Sequence, residues 1–256
     1  MELFDSHAHY NDEKFENDRD NLIKQIYNEG ITSIVNAGYS LESSKTAIEI
    51  AQKYSFIYVT VGISPNDIDD FQDEYLDKIE ELAKNKKCVA IGEIGLDYYW
   101  NKENKEIQKK VFVEQIKIAN KLDLPIQIHT REAIYDTLEI LKTNECTKKG
   151  IFHCCPLNVD LVREGLKLGY YISFAGPCTF KNSKNAEDII NMVPENRILI
   201  ETDSPYLSPE PLRGTRNDSR NVKLIAQKIA QVKKISLEEI AKITYDNAIR
   251  IFNIKK

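Results

Sequence analysis

The sequence has 256 residues, of which 42% are hydrophobic and 29% are charged, with a formal net charge of −5 at pH 7. This composition is ordinary for a globular enzyme, and no apolar run approaches the ~20 residues that a membrane-spanning helix needs. The negative charge argues against a broad nonspecific nucleic-acid surface, which requires many Lys and Arg contacts to phosphates, but it allows a protein that grips only a strand end.

The N-terminal segment, MELFDSHAHY, has neither the basic region nor the apolar region of a signal peptide. We therefore expect a cytoplasmic protein that does not associate with a membrane. The five cysteines include no CxxC pair, so we expect them to be reduced thiols.

Short β-rich runs alternate with amphipathic segments along the whole chain, a pattern typical of βα units around a parallel sheet. The eight predicted strands are Leu3–Ser6, Thr32–Ala37, Ile57–Gly62, Cys88–Glu93, Pro125–His129, Ile151–Cys154, Tyr171–Phe174 and Ile198–Thr202. Apolar residues at helical spacing, with charges on the opposite face, predict the helices Phe15–Glu29, Ser43–Lys53, Leu76–Asn85, Lys105–Leu122, Ile134–Asn144, Val222–Val232 and Leu237–Phe252.

Eight strands predict a closed (β/α)8 TIM barrel that forms a single domain over residues 1–256, because barrels of roughly 250 residues commonly have one core. The alternative is an open doubly wound sheet. The first strand is not followed by a Gly-rich phosphate loop, so the barrel is favoured.

All four histidines lie at the carboxyl ends of predicted strands: His7, His9, His129 and His153. This end of a barrel carries the active site, where side chains from different strands converge. Residues two apart on a strand share a side, so His7 and His9 form a candidate chelating pair. An HxH pattern alone also fits a polar N-terminal strand, but four histidines at one rim favour a metal site.

Glu93 stands in the apolar stretch VAIGEIGLDYYW, where strand alternation places it on the side of Ile91 and Val89. A buried carboxylate is costly unless it is paired or bound to a metal. A metal is the favoured partner of Glu93, and the alternative is a salt bridge to a rim arginine such as Arg131.

The last predicted strand ends in ETDSP, where alternation places Glu201 and Asp203 on a common side. Four imidazoles and two carboxylates exceed what one ion with open positions needs, and they suit two ions that share a bridging group. Such a pair generates a hydroxide nucleophile near neutral pH. We therefore predict two divalent ions per chain. Nitrogen-rich ligation favours Zn, Mn, Co or Ni in affinity, and the identity stays open among Mg, Mn and Zn.

Asp203 can ligate a metal through one oxygen and accept a proton through the other, so we predict that it is catalytic together with Glu93. Cys154 and Cys155, next to His153, are the candidates for a thiol enzyme, but neighbouring strand residues face opposite ways and buried cysteines usually only pack. The sequence contains no GxSxG elbow and no P-loop. A water nucleophile is therefore favoured.

Six motifs occur in order along nearly the whole chain: DSHAH at 5–9, GEIGLDYY at 92–99, HTREA at 129–133, FHC at 152–154, ETDSPYL at 201–207 and RGTRN at 213–217. In these motifs the sequence resembles the TatD family of metal-dependent deoxyribonucleases, a branch of the amidohydrolase-like hydrolases. The resemblance implies a barrel in which one metal is held by His7, His9 and Asp203, the other by His129 and His153, and both by Glu93. It also implies a nuclease that trims DNA ends.

Two departures from the family pattern concern the substrate rather than the metal ligands. The loop after the third strand usually carries a histidine in a GxHP pattern, and Ser64 stands there instead. The usual FHCFSG appears as FHCCPL at 152–157. The loss of a rim histidine is expected to weaken phosphate contact or proton transfer.

Arginine offers planar, forked donors that match phosphate oxygens. The candidate substrate-binding residues are Arg131, Arg213, Arg216 and Asn217. A solvated basic loop is an equal alternative for the last three. Tyr98, Tyr99 and Trp100 follow Glu93 and either stack on an unpaired base or pack under the loop.

Three functions follow from these residues. The first is a phosphodiesterase that acts transiently on DNA strand ends, as a monomer or small oligomer. The second is a hydrolase of a small amide, lactone or ester, including an aminoacyl ester on tRNA, because the same site suits a carbonyl carbon. The third is a non-catalytic metal-binding scaffold, which the presence of all six ligands disfavours. Rim arginines favour phosphate, and the acidic charge favours small or end-bound substrates.

Overall fold

The computed structural model of the protein describes residues 1–69, 71–100 and 102–255. Within these ranges, eight parallel strands follow one another in sequence order around a barrel. They are β1 Leu3–Ala8, β2 Ile31–Ala37, β3 Ile57–Val61, β4 Cys88–Asp97, β5 Ile126–Arg131, β6 Gly150–Phe152, β7 Tyr171–Phe174 and β8 Ile198–Ile200. The predicted (β/α)8 TIM barrel is confirmed.

The barrel closes between β1 and the segment that follows β8. Ala8 and Ser204 form a parallel bridge. The amide of His9 donates to the carbonyl oxygen of Ser204 at 2.7 Å, and the amide of Asp203 donates to the carbonyl oxygen of His7 at 3.0 Å. The same bonds that close the barrel therefore fix the relative positions of the DSHAH and ETDSPYL motifs.

Helices on the outside of the barrel connect the strands. They are α1 Arg19–Asn28, α2 Leu41–Lys53, α3 Glu74–Ala83, α4 Lys105–Leu122, α5 Ile134–Thr143, α6 Val159–Lys167, α7 Ala186–Met192, α8 Val222–Lys233 and α9 Leu237–Ile251. The seven predicted helices are confirmed, although the first begins at Arg19 rather than Phe15. Periodicity had not located α6 and α7, which are only nine and seven residues long. In the described ranges, none of the helices is long and apolar enough to cross a membrane.

Two apolar clusters hold the barrel together. The larger one packs the strands against the surrounding helices. The smaller one joins residues near the starts of strands, such as Phe4, Tyr171 and Leu199, to α9. The ring of Phe4 stacks on that of Phe252 with centroids 6.0 Å apart. Because α9 covers the amino-terminal end of the barrel, the open end is the one where the strands finish.

Candidate active site

A cavity of about 790 Å³ opens at the carboxyl ends of the strands. His7 lies in β1, Glu93 in β4 and His129 in β5. His9 and His153 immediately follow β1 and β6, and Asp203 lies three residues after the end of β8. All except His7 line the cavity, and His7 is buried directly behind them. The structure thus brings together all six predicted metal ligands, from five strands distant in sequence.

The first cluster of polar atoms surrounds the imidazoles of β1. The Nε2 atoms of His7 and His9 lie 2.9 Å apart. Oδ1 of Asp203 lies 3.4 Å from the first and 3.3 Å from the second. Oε2 of Glu93 lies 3.6 Å from each. Four potential ligand atoms therefore converge on one point.

The second cluster forms on the other oxygen of Glu93. Oε1 lies 3.0 Å from Nδ1 of His129 and 3.4 Å from Nε2 of His153, and these two nitrogens are 3.3 Å apart. Glu93 thus directs one oxygen into each cluster. Since the carboxylate contacts imidazoles, the alternative salt bridge to Arg131 is wrong: the guanidinium of Arg131 lies 3.9 Å from the ring centroid of Tyr99.

Hydrogen bonds on the far sides of the rings orient three of the imidazoles. Nδ1 of His9 lies 3.0 Å from the carbonyl oxygen of Ala37, which can only accept, so this nitrogen carries a proton and Nε2 is the nitrogen available to a metal. On the far side of the His129 ring, Nε2 lies within hydrogen-bond distance of Oδ2 of Asp97, at 2.9 Å. His153 uses Nδ1 toward Oε1 of Glu201 at 3.3 Å. An outer acceptor on the remote nitrogen is the arrangement that metal-ligating histidines normally have.

The electrostatics of the site depend on its burial and on the mutual contacts of its groups. Burial acts to raise the pKa of Glu93, but the imidazoles of His153 and His129 outweigh it and hold that pKa well below its usual range. Burial likewise acts to raise the pKa of Asp203, and His7 and His9 outweigh it and lower that pKa. Both carboxylates are therefore anionic around neutral pH.

The chemistry of this donor set fits divalent metal ions. Three groups of His, Glu and Asp have ligand atoms within 4.8 Å of one another, and together they comprise His7, His9, Glu93, His129, His153 and Asp203. Two buried carboxylates need positive charge beside them, and a divalent cation held by the inward-facing imidazole nitrogens provides it. The residues present therefore fit the predicted metal centre.

The backbone adopts a left-handed conformation at one candidate ligand and beside another. Asp203, three residues after β8, has φ 56°, and Cys154, next to His153, has φ 40°. Non-glycine residues adopt such angles sparingly, and they cluster at functional sites. These sharp bends turn the chain over the mouth of the barrel. The Cys154 amide also donates to Oε1 of Glu201 at 2.7 Å, which anchors the bend.

The predicted substrate-binding residues are not all at the cavity. Arg131 lines it. By contrast, the guanidinium of Arg216 donates to Asp18 at 2.9 and 2.6 Å, and that of Arg213 lies over the ring of Phe180 at 4.2 Å. Asn217 is fully buried, and its amide donates to backbone carbonyl oxygens of the loop that follows β8. The loop folds toward α1, so these three side chains hold the loop in place rather than line the cavity.

Two polar residues that position the histidines were not assigned a role from the sequence. Asp97 ends β4 and accepts from the amides of Tyr99 and Trp100 at 2.9 Å as well as facing His129. Glu201 was noted only for sharing a side with Asp203. The sequence signal that could have identified both residues is a carboxylate in or next to an apolar strand. Both are fully buried in the structure, and a buried carboxylate needs a polar partner.

A barrel with His, Glu and Asp clusters at the carboxyl ends of its strands defines a metal-dependent hydrolase. The family model described as TatD related DNase matches residues 4–253, and the chain belongs to this family. It is 44% identical to the metal-dependent hydrolase YabD of Bacillus subtilis (strain 168), over 98% of this chain and 99% of that protein. It is 34% identical to the metal-dependent hydrolase YcfH of Escherichia coli (strain K12), over 99% and 97%.

The fold has a close counterpart among solved structures. The TatD homologue YjjV from Escherichia coli K12 superposes with a TM-score of 0.94 at 24% sequence identity, covering 99% of this chain and 98% of that one. The curated relatives are hydrolases that depend on a metal, and the chain retains a full ligand set, so this protein is an enzyme of the same class.

Proposed function

We propose that the protein is a deoxyribonuclease that removes nucleotides from DNA strand ends with the aid of two divalent ions. The observation that carries the proposal is the position of Glu93, whose two oxygens face two separate clusters at the floor of an open cavity. The family of the chain supports a nucleic-acid substrate.

In this proposal, His7, His9 and Asp203 would hold one ion, His129 and His153 would hold the other, and Glu93 would serve both through its two oxygens. Such ions supply Lewis-acid charge that activates water and offsets negative charge developing on the phosphoryl group. The imidazoles are held in place by Asp97, Glu201 and the carbonyl of Ala37, so that little reorganisation accompanies the reaction.

Asp203 is the residue proposed to move a proton. Its Oδ1 contacts the imidazoles of His7 and His9, which leaves Oδ2 to accept a proton from the attacking water. The side chain borders the cavity and is 14% exposed, so a water molecule can reach it. Its low pKa keeps it unprotonated around neutral pH, so neither oxygen is blocked by a proton.

The rim of the cavity has features suited to an unpaired nucleotide. Arg131 lies against Tyr99 and also 5.4 Å from the centroid of Trp100, whose exposed fraction is 68%. Across the cavity, Tyr206 is 42% exposed, and Nζ of Lys14 lies 4.2 Å from its ring centroid. Aromatic rings stack on bases without regard to sequence, while the cations contact phosphates. With a net charge of −5, this small footprint favours strand ends over duplex interiors.

The second candidate function is hydrolysis of a small ester, amide or lactone, including an aminoacyl ester on tRNA. One observation favours it: Arg213 and Arg216 contact Phe180 and Asp18, which leaves Arg131 as the one predicted arginine that lines the cavity within the described residues. A site with few cations is also suited to an uncharged substrate.

The experiment that separates these functions uses oligonucleotides labelled at either end, as single strands and as duplexes, with and without a chelator. We expect stepwise shortening that the chelator abolishes and that added divalent ions restore. A panel of generic esters and lactones and an aminoacyl-tRNA are assayed in parallel. Turnover of any of these at rates far above that of every oligonucleotide would contradict the nuclease proposal.

A further inference from the structure

A second cavity lies at the opposite end of the barrel from the metal ligands. It has a volume of about 750 Å³. One wall is formed by the first residues of strands β4 to β8 and the residues just before them, and the other by residues 251–255 at the end of α9 and beyond it. Small-molecule sites commonly have volumes in the range of ~300–1,000 Å³. The amino-terminal end of such a barrel ordinarily serves stability, so a large cavity there requires a separate explanation.

The charged side chains that line this cavity are nearly all positive. They are six Lys and Arg residues and one carboxylate, Asp123, although the whole chain has 35 Lys and Arg against 40 Asp and Glu. Lys148 pairs with Asp123 at 2.9 Å, and Lys149 pairs with Glu145. In the part of the chain that the structure describes, four lining cations have no carboxylate within 4.0 Å: Lys86, Arg197, Arg250 and Lys255. Grouped cations repel one another, and an anion would relieve that repulsion.

The two arginines are oriented by neutral groups, which leave their charges uncompensated. The guanidinium of Arg197 lies 4.8 Å from the ring centroid of Tyr171 and donates to the carbonyl oxygen of Asn196 at 3.2 Å. Arg250 donates to the amide oxygen of Asn247 at 3.0 Å. A guanidinium held in this way keeps further N–H donors in a planar fork, which is the arrangement that phosphate oxygens accept best.

The remaining lining is aromatic and apolar. Tyr58, Leu124 and Pro125 lie beside Tyr171 and Phe252. Tyr171 and Phe252 are buried at 5% and 3% exposure, whereas Lys86 and Arg250 are exposed. Phe252 already stacks on Phe4, and Tyr171 lies against Arg197. The half-buried Tyr58 and Leu124 therefore form the apolar floor that a ligand can reach, and the cations form the rim.

We propose that this cavity binds a nucleoside polyphosphate, with its base on the floor at Tyr58 and Leu124 and its phosphates at Arg197 and Arg250. An inorganic anion would use the rim alone and leave the floor unused. A nucleic-acid chain would need a cationic track that continues beyond the cavity, which a net charge of −5 does not favour. Because residues 251–255 form one wall, a bound nucleotide ties the end of α9 to the strands and stabilises the folded state.

The test is calorimetric titration of the full-length, chelator-treated protein with ATP, pyrophosphate and adenosine. We expect saturable binding of one ATP per chain. We also expect pyrophosphate and adenosine each to bind at least tenfold more weakly than ATP. The double variant Arg197→Gln, Arg250→Gln should weaken ATP binding at least tenfold, and a melting temperature for each unliganded variant shows that it is folded.

Two single variants are the matched controls. Arg163→Gln removes an arginine that pairs with Asp160 on the surface of α6, and Arg131→Gln removes the cation at the metal-centre cavity. Both should bind ATP within twofold of the unchanged protein. An absence of ATP binding, an unchanged affinity in the double variant, or a loss in Arg131→Gln would overturn the proposal. Equal affinities for pyrophosphate and ATP would overturn the contact between the base and the floor.

Discussion

Oδ2 of Asp97 lies 2.9 Å from Nε2 of His129, on the opposite side of the imidazole from Glu93. The other oxygen of the same carboxylate accepts from the amides of Tyr99 and Trp100. Asp97 thus links the orientation of a metal ligand to the start of the aromatic rim. The contact with His129 and the contact with the two backbone amides each require an acceptor oxygen. A carboxylate has two such oxygens, whereas a side-chain amide has one.

We therefore expect Asp97→Asn to weaken metal binding at the second cluster, because its amide cannot serve His129 and the two backbone amides together. Loss of such an outer partner typically costs ~10–100-fold in metal affinity or activity. Competition with a fluorescent chelator measures the affinity. Asp136→Asn is the control, since Asp136 accepts from Tyr98 and pairs with Lys109 away from the clusters. Equal affinities in the two variants would show that Asp97 has no positioning role.

The division of Glu93 between two clusters predicts two strongly bound ions per chain. Glu93→Gln should lose at least one of them, because an amide offers one oxygen where the carboxylate offers two. Elemental analysis of protein loaded to saturation gives the number, with Glu106→Gln as a control at an exposed glutamate that pairs with Lys109. A value of one ion or fewer in the unchanged protein would exclude the shared site.

Ser64 occupies a loop position where the family usually has histidine, and its side chain is 3% exposed at the edge of the cavity. Ser64→His should raise phosphodiesterase activity or leave it unchanged, because the imidazole adds a donor near the substrate. The rate on a labelled oligonucleotide, with metal content measured in parallel, tests this. If activity fell more than about tenfold while folding and metal content stayed constant, Ser64 would belong to the site of a different substrate.

Arg131 and Arg216 are expected to respond differently to the same substitution. Arg131→Gln removes a cation from the cavity rim and should raise KM for oligonucleotides by roughly 10–100-fold, the equivalent of one charge-assisted hydrogen bond. Arg216→Gln removes an exposed ion pair with Asp18, which is worth at most ~1 kcal/mol of stability, and KM should be unchanged. Steady-state kinetics at two salt concentrations measure both. A similar rise in KM for both variants would show that the loop after β8 binds substrate, as the sequence had suggested.

The sequence predicted the barrel and the six ligands because strand periodicity and the placement of histidines at strand ends are local signals. It did not predict the register of β4. Alternation placed Glu93 with Ile91 and Val89, but the pairing of β4 with β5 shifts by one residue between Ile91 and Ile94. A second irregularity, in the pairing with β3 between Cys88 and Ala90, lies at Val89 itself. Val89 packs in the smaller cluster while Ile91 packs in the larger one. An irregularity of this kind depends on the neighbouring strand.

The contacts that long side chains make could not be predicted from the sequence either. Arg213 and Arg216 belong to a motif that suggested phosphate contact. Their positions instead depend on two distant residues that the loop after β8 meets: Phe180, which follows β7, contacts Arg213, and Asp18, which precedes α1, pairs with Arg216. Asn217 was grouped with them, and its burial follows from the same loop path. Contacts between segments far apart in the chain carry no local pattern.

The central claim is that Asp203 acts as the base of a two-ion phosphodiesterase. Asp203→Asn keeps the shape of the side chain but removes its charge and its basic oxygen, so turnover of an end-labelled oligonucleotide should fall by ~10²–10⁴-fold, the usual worth of general-base assistance. Turnover, metal content and melting temperature are measured on one preparation at saturating metal. We expect a large loss of turnover with the ions still bound and the protein folded. Near-normal turnover in a fully metallated Asp203→Asn protein would contradict it.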